Sequence, residues 1–138
     1  MQFSHLLVVA VASLGFAPAA AHPESVDSSL QKRACFKTGE KYGDQRDEAF
    51  ARVREACRGY FVGTYPKGKL YTKCYNLSGN KHVKLSVGLF GHNAGKTRHL
   101  GEAECYDGLK KQVAHCDHGG EKTYGNWRYR ADPNKGAC

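Results

Sequence analysis

No apolar run in this 138-residue chain is long enough to cross a bilayer. The longest, Leu6 to Ala17, has 12 residues, and a spanning helix needs roughly 20. The chain has no C-x-x-C pair and no Cys/His spacing suited to zinc, so neither a metal nor another cofactor is expected. Its one glycine-rich loop has no Walker pattern, which removes a nucleotide-phosphate cradle. Repeats and low-complexity tracts are also missing, and the length leaves room for a single domain. Tryptophan occurs once.

The ends of the chain are more informative. The apolar run is followed by Ala19-Ala20-Ala21, an A-x-A cleavage site, and residues 1–21 read as a secretory signal peptide although Met1 to His5 contains no Lys or Arg. Residues 22–33 are polar and end in Lys32-Arg33, a dibasic processing signal, so they read as a propeptide. The mature domain is then 34–138. All six cysteines lie within it: Cys35, Cys57, Cys74, Cys105, Cys116 and Cys138. An even number behind a secretion signal implies a disulfide framework in an extracellular protein. The spacing does not choose the pairing, but Cys35 and Cys138 sit at the two ends, so bridges should hold both termini. Each bridge would contribute roughly 2–4 kcal/mol to a domain with a modest core.

The 21 Lys+Arg exceed the 13 Asp+Glu by eight. A basic secreted protein adheres to acidic glycans, cell walls, anionic lipids or RNA; the same charge also serves plain solubility.

Asp44 to Arg58 has helical periodicity. Asp44 is placed as the N-cap, Asp47 and Glu48 occupy the first turn, Phe50, Val53 and Cys57 share a face, and Gly59 ends it. Lys69–Leu77 and His82–Phe90 read as strands joined through Ser78-Gly79-Asn80-Lys81. In the second, Val83, Leu85, Val87 and Leu89 point one way, with His82, Lys84 and Ser86 opposite. In the first, Leu70, Thr72 and Cys74 share one face and Lys69, Tyr71, Lys73 and Tyr75 the other. This basic aromatic face either stacks a sugar or a base, or is covered by a second layer. Asn76-Leu77-Ser78 is a sequon whose occupancy stays open. Residues 91–101 form a loop carrying His92, Lys96, Arg98 and His99, an alternative place for a site. Glu102–Cys116 reads as a second helix with Cys105, Leu109, Val113 and Cys116 inward. About Asn126 to Arg130 is the final strand. The order α-β-β-α-β gives an α+β class: one disulfide-stabilised sandwich, two helices on an antiparallel sheet of three or more strands.

The last strand alternates aromatic and cationic residues: Trp127, Arg128, Tyr129, Arg130. In a strand one pair is buried and the other exposed. Asp132-Pro133-Asn134 then signals a turn. Aromatic faces, with Asp, Asn and Arg side chains bonding hydroxyls, are what a sugar site requires. Tyr71, Tyr75, Trp127, Arg128, Tyr129, Arg130, Asp132 and Asn134 are therefore the candidate glycan-binding residues.

Several pieces combine into a pattern: Ala34-Cys35-Phe36, a helix ending in Cys57, Lys73-Cys74-Tyr75-Asn76, Glu104-Cys105 through Cys116 to Gly119-Gly120, and the closing Asn126 to Cys138 with Ala131-Asp132-Pro133-Asn134. This ensemble resembles a family of small secreted cysteine-rich fungal proteins, the mushroom Y-three-type glycan-binding (lectin-like) proteins. The resemblance covers nearly all of 35–138. It implies a compact disulfide-bonded α/β sandwich, secretion, and binding of cell-wall or glycoprotein glycans without catalysis; in a fungus that colonises a host, such a protein would serve as an apoplastic effector. It assigns no ligand residues.

Two other functions compete. A killer-type or antimicrobial toxin fits the size and charge, although neither helix is strongly cationic-amphipathic and stable membrane insertion is not expected. A small basic ribonuclease would need two acid–base groups and a cation, for which His92 or His99, Glu102 or Glu104, and Arg98 are candidates. The chain lacks the tyrosine–histidine–glutamate–arginine–histidine pattern of small fungal ribonucleases, and no specific nucleic-acid partner is expected. A homodimer stays open.

Overall fold

A computed structural model describes residues 34–138. The expected signal peptide and propeptide lie outside those residues. Two helices, α1 (Arg46–Arg58) and α2 (Glu102–Ala114), pack against six strands: β1 (Gly63–Pro66), β2 (Leu70–Leu77), β3 (Lys81–Leu89), β4 (Thr97–Leu100), β5 (Gly120–Tyr124) and β6 (Trp127–Lys135). The main sheet is antiparallel in the order β2-β3-β6-β5, and β1 with β4 makes a separate two-stranded ribbon. The class is α+β, as the sequence indicates.

One face of the main sheet carries the core. Alternation puts Val83, Leu85, Val87 and Leu89 of β3 beside Pro133, Ala131, Tyr129 and Trp127 of β6, and all eight are buried. The helices bring Val53, Ala56, Cys57, Cys105, Leu109 and Val113 onto this face. Burying such side chains stabilises a domain by roughly 1.5–3 kcal/mol each. Gly108 permits the close packing: a Cβ there would collide with the Tyr129 ring.

The bridges are Cys35–Cys116, Cys57–Cys105 and Cys74–Cys138. The second ties α1 to α2. The first and third hold the two ends of the described chain, as expected of Cys35 and Cys138.

Four local expectations are corrected. Asp44 lies in a 3-10 turn, Gly43–Gln45, and α1 starts after it with Gln45 as N-cap and no side-chain cap bond. Residues 97–100 of the expected loop are strand β4, because β1 offers them a partner. Strand β5 begins at Gly120, where only a helix stop was expected. Finally, Asp132-Pro133-Asn134 is not a turn but the continuation of β6. A proline is tolerated there because β5 pairs no further than Ala131, so β6 is an edge strand beyond it. The chain turns instead at Gly136, which has φ +85° and donates its N–H to the Asn80 carbonyl at 2.7 Å.

Candidate functional site

Among the described residues no helix lies over the other face of the main sheet. The strand registers set its side chains in rows. Leu70, Gly88, Arg128 and Thr123 form the first, and Thr72, Ser86, Arg130 and Glu121 the second. Cys74, Lys84 and Asp132 form the third, and Asn76, His82 and Asn134 the fourth. Side chains two apart on β6 stand about 7 Å from one another, so Arg128 to Asn134 spans about 20 Å.

Four of the charges on this face, Arg128, Arg130, Glu121 and Asp132, are held in one network. Glu121 on β5 accepts from both Arg128 and Arg130, the latter at 3.5 Å, and Arg130 also donates to Asp132 at 3.0 Å. Partial burial works against the Arg130 charge, but the hydrogen bond and charge of Asp132, with Glu121, outweigh it and raise its pKa. Asn134 Nδ2 donates to the Asp132 carbonyl at 2.9 Å, and the Thr72 and Ser86 hydroxyls bond each other at 2.8 Å. Two rings flank the network. Arg130 lies 4.7 Å from the centroid of Phe36, and Arg128 5.4 Å from that of Phe90. The Phe90 ring lies against Gly88, where any Cβ would collide with it. At the far end the bridge to Cys74 brings residues 136–138 over the sheet; His82 Nδ1 donates to the Gly136 carbonyl at 2.8 Å, and the Asn76 side-chain oxygen accepts from the Cys138 N–H at 2.8 Å.

The structure divides the eight candidate residues into two sets. Arg128, Arg130, Asp132 and Asn134 stand together on the open face, each partly exposed. Trp127 and Tyr129 face the helices and are 0% and 2% exposed. Tyr71 and Tyr75 are on that same side: Tyr75 is buried, and Tyr71 packs edge-to-face on Tyr65, which packs on Trp127. Burial pushes the Tyr129, Tyr65 and Tyr75 phenols above their ordinary pKa. The basic aromatic face read from β2 is therefore the covered one, where Lys73 reaches out over Tyr60 at 5.4 Å. A sugar cannot stack on Trp127 or Tyr129 without opening the core.

Phe36, Phe90, Glu121, Thr72, Ser86 and Lys84 join the open face without having been singled out. Phe36 points outward because its neighbour Cys35 bridges inward to Cys116 in extended chain, a pairing that the spacing does not choose. Glu121 was missed because β5 itself was unseen.

The alternative loop candidates lie apart from the main sheet. His92, Lys96, Arg98 and His99 are all exposed, along the loop and β4. Among the described residues no hydrogen bond or ion pair joins either histidine to Glu102 or Glu104. Glu102 instead pairs with Arg58 at 3.0 Å. Two concavities lie elsewhere. A groove of about 320 Å³ between the helices is lined by Arg54, Arg58, Glu102 and Tyr106, and one of about 410 Å³ by α2 and the β5–β6 turn is lined by Glu104, Asp107, Lys111 and Tyr124. Among the described residues no cluster of potential ligands suits a metal ion, and no helix is long and apolar enough to cross a membrane.

Comparison with known proteins gives one family. The family model described as glycan binding domain Y3 matches residues 48–138, about two thirds of the chain. No curated protein matches.

Proposed function

The chain belongs to the glycan binding domain Y3 family, and on that premise we propose that it is a secreted lectin-like protein without catalytic activity that binds an oligosaccharide on the open face of its main sheet. One observation carries the location. Two neighbouring strands, β5 and β6, present donors and acceptors in fixed rows on the face away from the helices: the Arg128 and Arg130 guanidiniums, the Glu121 and Asp132 carboxylates, and the Asn134 amide.

Sugar hydroxyls both donate and accept, so a site must offer both at set distances. The Glu121 bridge holds both guanidiniums before any ligand arrives, which lowers the ordering cost of binding. The partly exposed Phe36 and Phe90 rings add apolar surface for sugar C–H groups beside those polar atoms. A flat surface about 20 Å long suits several linked sugars better than one.

Secretion follows from residues 1–33 as read from the sequence, and the bridges fit an oxidising compartment. A secreted lectin of a colonising fungus would act in the apoplast by covering glycans of the wall or of the host. The test is a glycan array probed with the oxidised protein and with Arg130→Ala. Binding by the wild type that falls at least tenfold in the folded variant supports the location. Equal binding by both would move the site off this face.

A further inference from the structure

The excess charge of the protein is not spread over it. Residues 56–101 contain eight Lys/Arg and no Asp or Glu, so this segment alone carries the whole +8; the other 13 cations are matched by 13 carboxylates. It forms β1 to β4. Within it, Lys67, Lys69, His92, Lys96, Arg98 and His99 are all exposed at one end of the molecule. The fold gathers them there: the Lys67 N–H donates to the Lys96 carbonyl at 2.9 Å, Lys67 Nζ donates to the His92 carbonyl at 3.5 Å, and Arg98 stands opposite Tyr65 in the ribbon. Among the described residues no carboxylate pairs with Lys67, Lys69, Lys96 or Arg98, whereas Arg46, Arg52, Arg58, Arg128 and Arg130 all have one. The end adjoins the open sheet face, because Gly68 donates to the Leu89 carbonyl at 2.8 Å and Phe90 follows directly.

We propose that this cationic end binds acidic polysaccharide, a chain bearing sulfate or uronate groups. The inference rests on the glycan-binding reading above and names a ligand class for it. Unpaired cations on a single surface raise the local concentration of a polyanion and release its counterions on contact. Two other polyanions fit less well. Single-stranded nucleic acid is held by bases stacked on exposed aromatic rings, yet Tyr65 is buried, Tyr71 has Lys69 over its ring at 5.1 Å, and the exposed Tyr60 has Lys73 over its ring at 5.4 Å. A membrane surface calls for an apolar face beside the cations, and the large apolar side chains exposed in the described chain are only Tyr60, Val62 and Leu70.

The test compares the oxidised wild type with a triple variant, Lys67→Ser, Lys96→Ser and Arg98→Ser, after checking that both melt alike. The probes are heparin, polygalacturonate, a neutral glucan, phosphatidylserine vesicles and polyuridylate. The wild type should bind at least one acidic polysaccharide, not the neutral glucan at this end, and lose it steeply as salt rises. The triple variant should bind it about 100-fold more weakly, at roughly five-fold per cation. Should the variant not fold, Lys96→Ser alone should show the five-fold loss. Affinity within three-fold of wild type, or tighter binding to vesicles or polyuridylate than to either acidic polysaccharide, would overturn the proposal. If neutral glycans bind on the array and neither acidic polymer does, this inference fails and the sheet-face reading stands; if no glycan binds, both fail.

Discussion

Replacing Gly108 by Ala separates the two faces of the closing strand. Helix propensity alone favours the change, since Ala is better than Gly in a helix interior by about 1 kcal/mol. Packing opposes it. The new Cβ would collide with the ring of Tyr129, a residue 2% exposed whose hydroxyl donates to the Glu104 carbonyl at 3.1 Å. The helix cannot simply lift away: Cys57–Cys105 pins it three residues earlier, and Cys35–Cys116 pins the segment just past its end. Overpacking a constrained core costs roughly 1–3 kcal/mol, often toward the top of that range where nothing can yield. The net expectation is a loss of about 1–2 kcal/mol, or a Tm lower by roughly 5–10 °C in a domain of this size. Thermal unfolding followed by circular dichroism measures it, and glycan binding by the folded variant should be unchanged, because the contact lies behind the sheet. A Tm equal to or above wild type would refute the packing argument, and with it the placement of Tyr129 against α2.

Three further outcomes are expected. Glu48 accepts from both the N–H and the hydroxyl of Ser78, and these hydrogen bonds hold its pKa below the ordinary carboxylate value; Glu48→Ala should therefore lower Tm at pH 7, and the gap should close as pH falls through and below the usual carboxylate range, where the wild-type carboxylate also protonates. A gap that persists at low pH would contradict this. Mild reductant should open Cys74–Cys138 first, since Cys138 is exposed while Cys57 and Cys105 are fully buried, and alkylation with mass spectrometry gives the order. Trp127, the only tryptophan, is fully buried, so its emission should be resistant to acrylamide and unmoved by a saturating glycan; quenching by glycan would place the ligand against the core after all.

Periodicity made much of the fold legible. Val83 to Leu89 and Cys105 to Val113 show their inward faces in the sequence, because burial on one side repeats at the strand and helix spacing. The split of Trp127 and Tyr129 from Arg128 and Arg130 was legible for the same reason. What was not legible depended on partners distant in the chain. Strands β1 and β4 are four residues each and have no periodic signal of their own. Pro133 reads as a turn unless one knows that β5 has already ended beside it. Tyr71 and Tyr75 alternate with Thr72 and Cys74 whichever side is covered, and only the docking of the helices decides which. Glu121 escaped with β5, although it holds together both arginines of the open face.

The most direct test of the central claim is to titrate the isotopically labelled protein with a neutral oligosaccharide that it binds on the array, and to follow its amide and arginine Nε–H resonances. The account predicts changes concentrated at Thr72, Lys84 to Gly88, Glu121 to Thr123 and Arg128 to Asn134, with the Arg128 and Arg130 side chains among the largest. Changes confined to the groove between α1 and α2, to the cavity at Tyr124, or to residues 91–101 would contradict it.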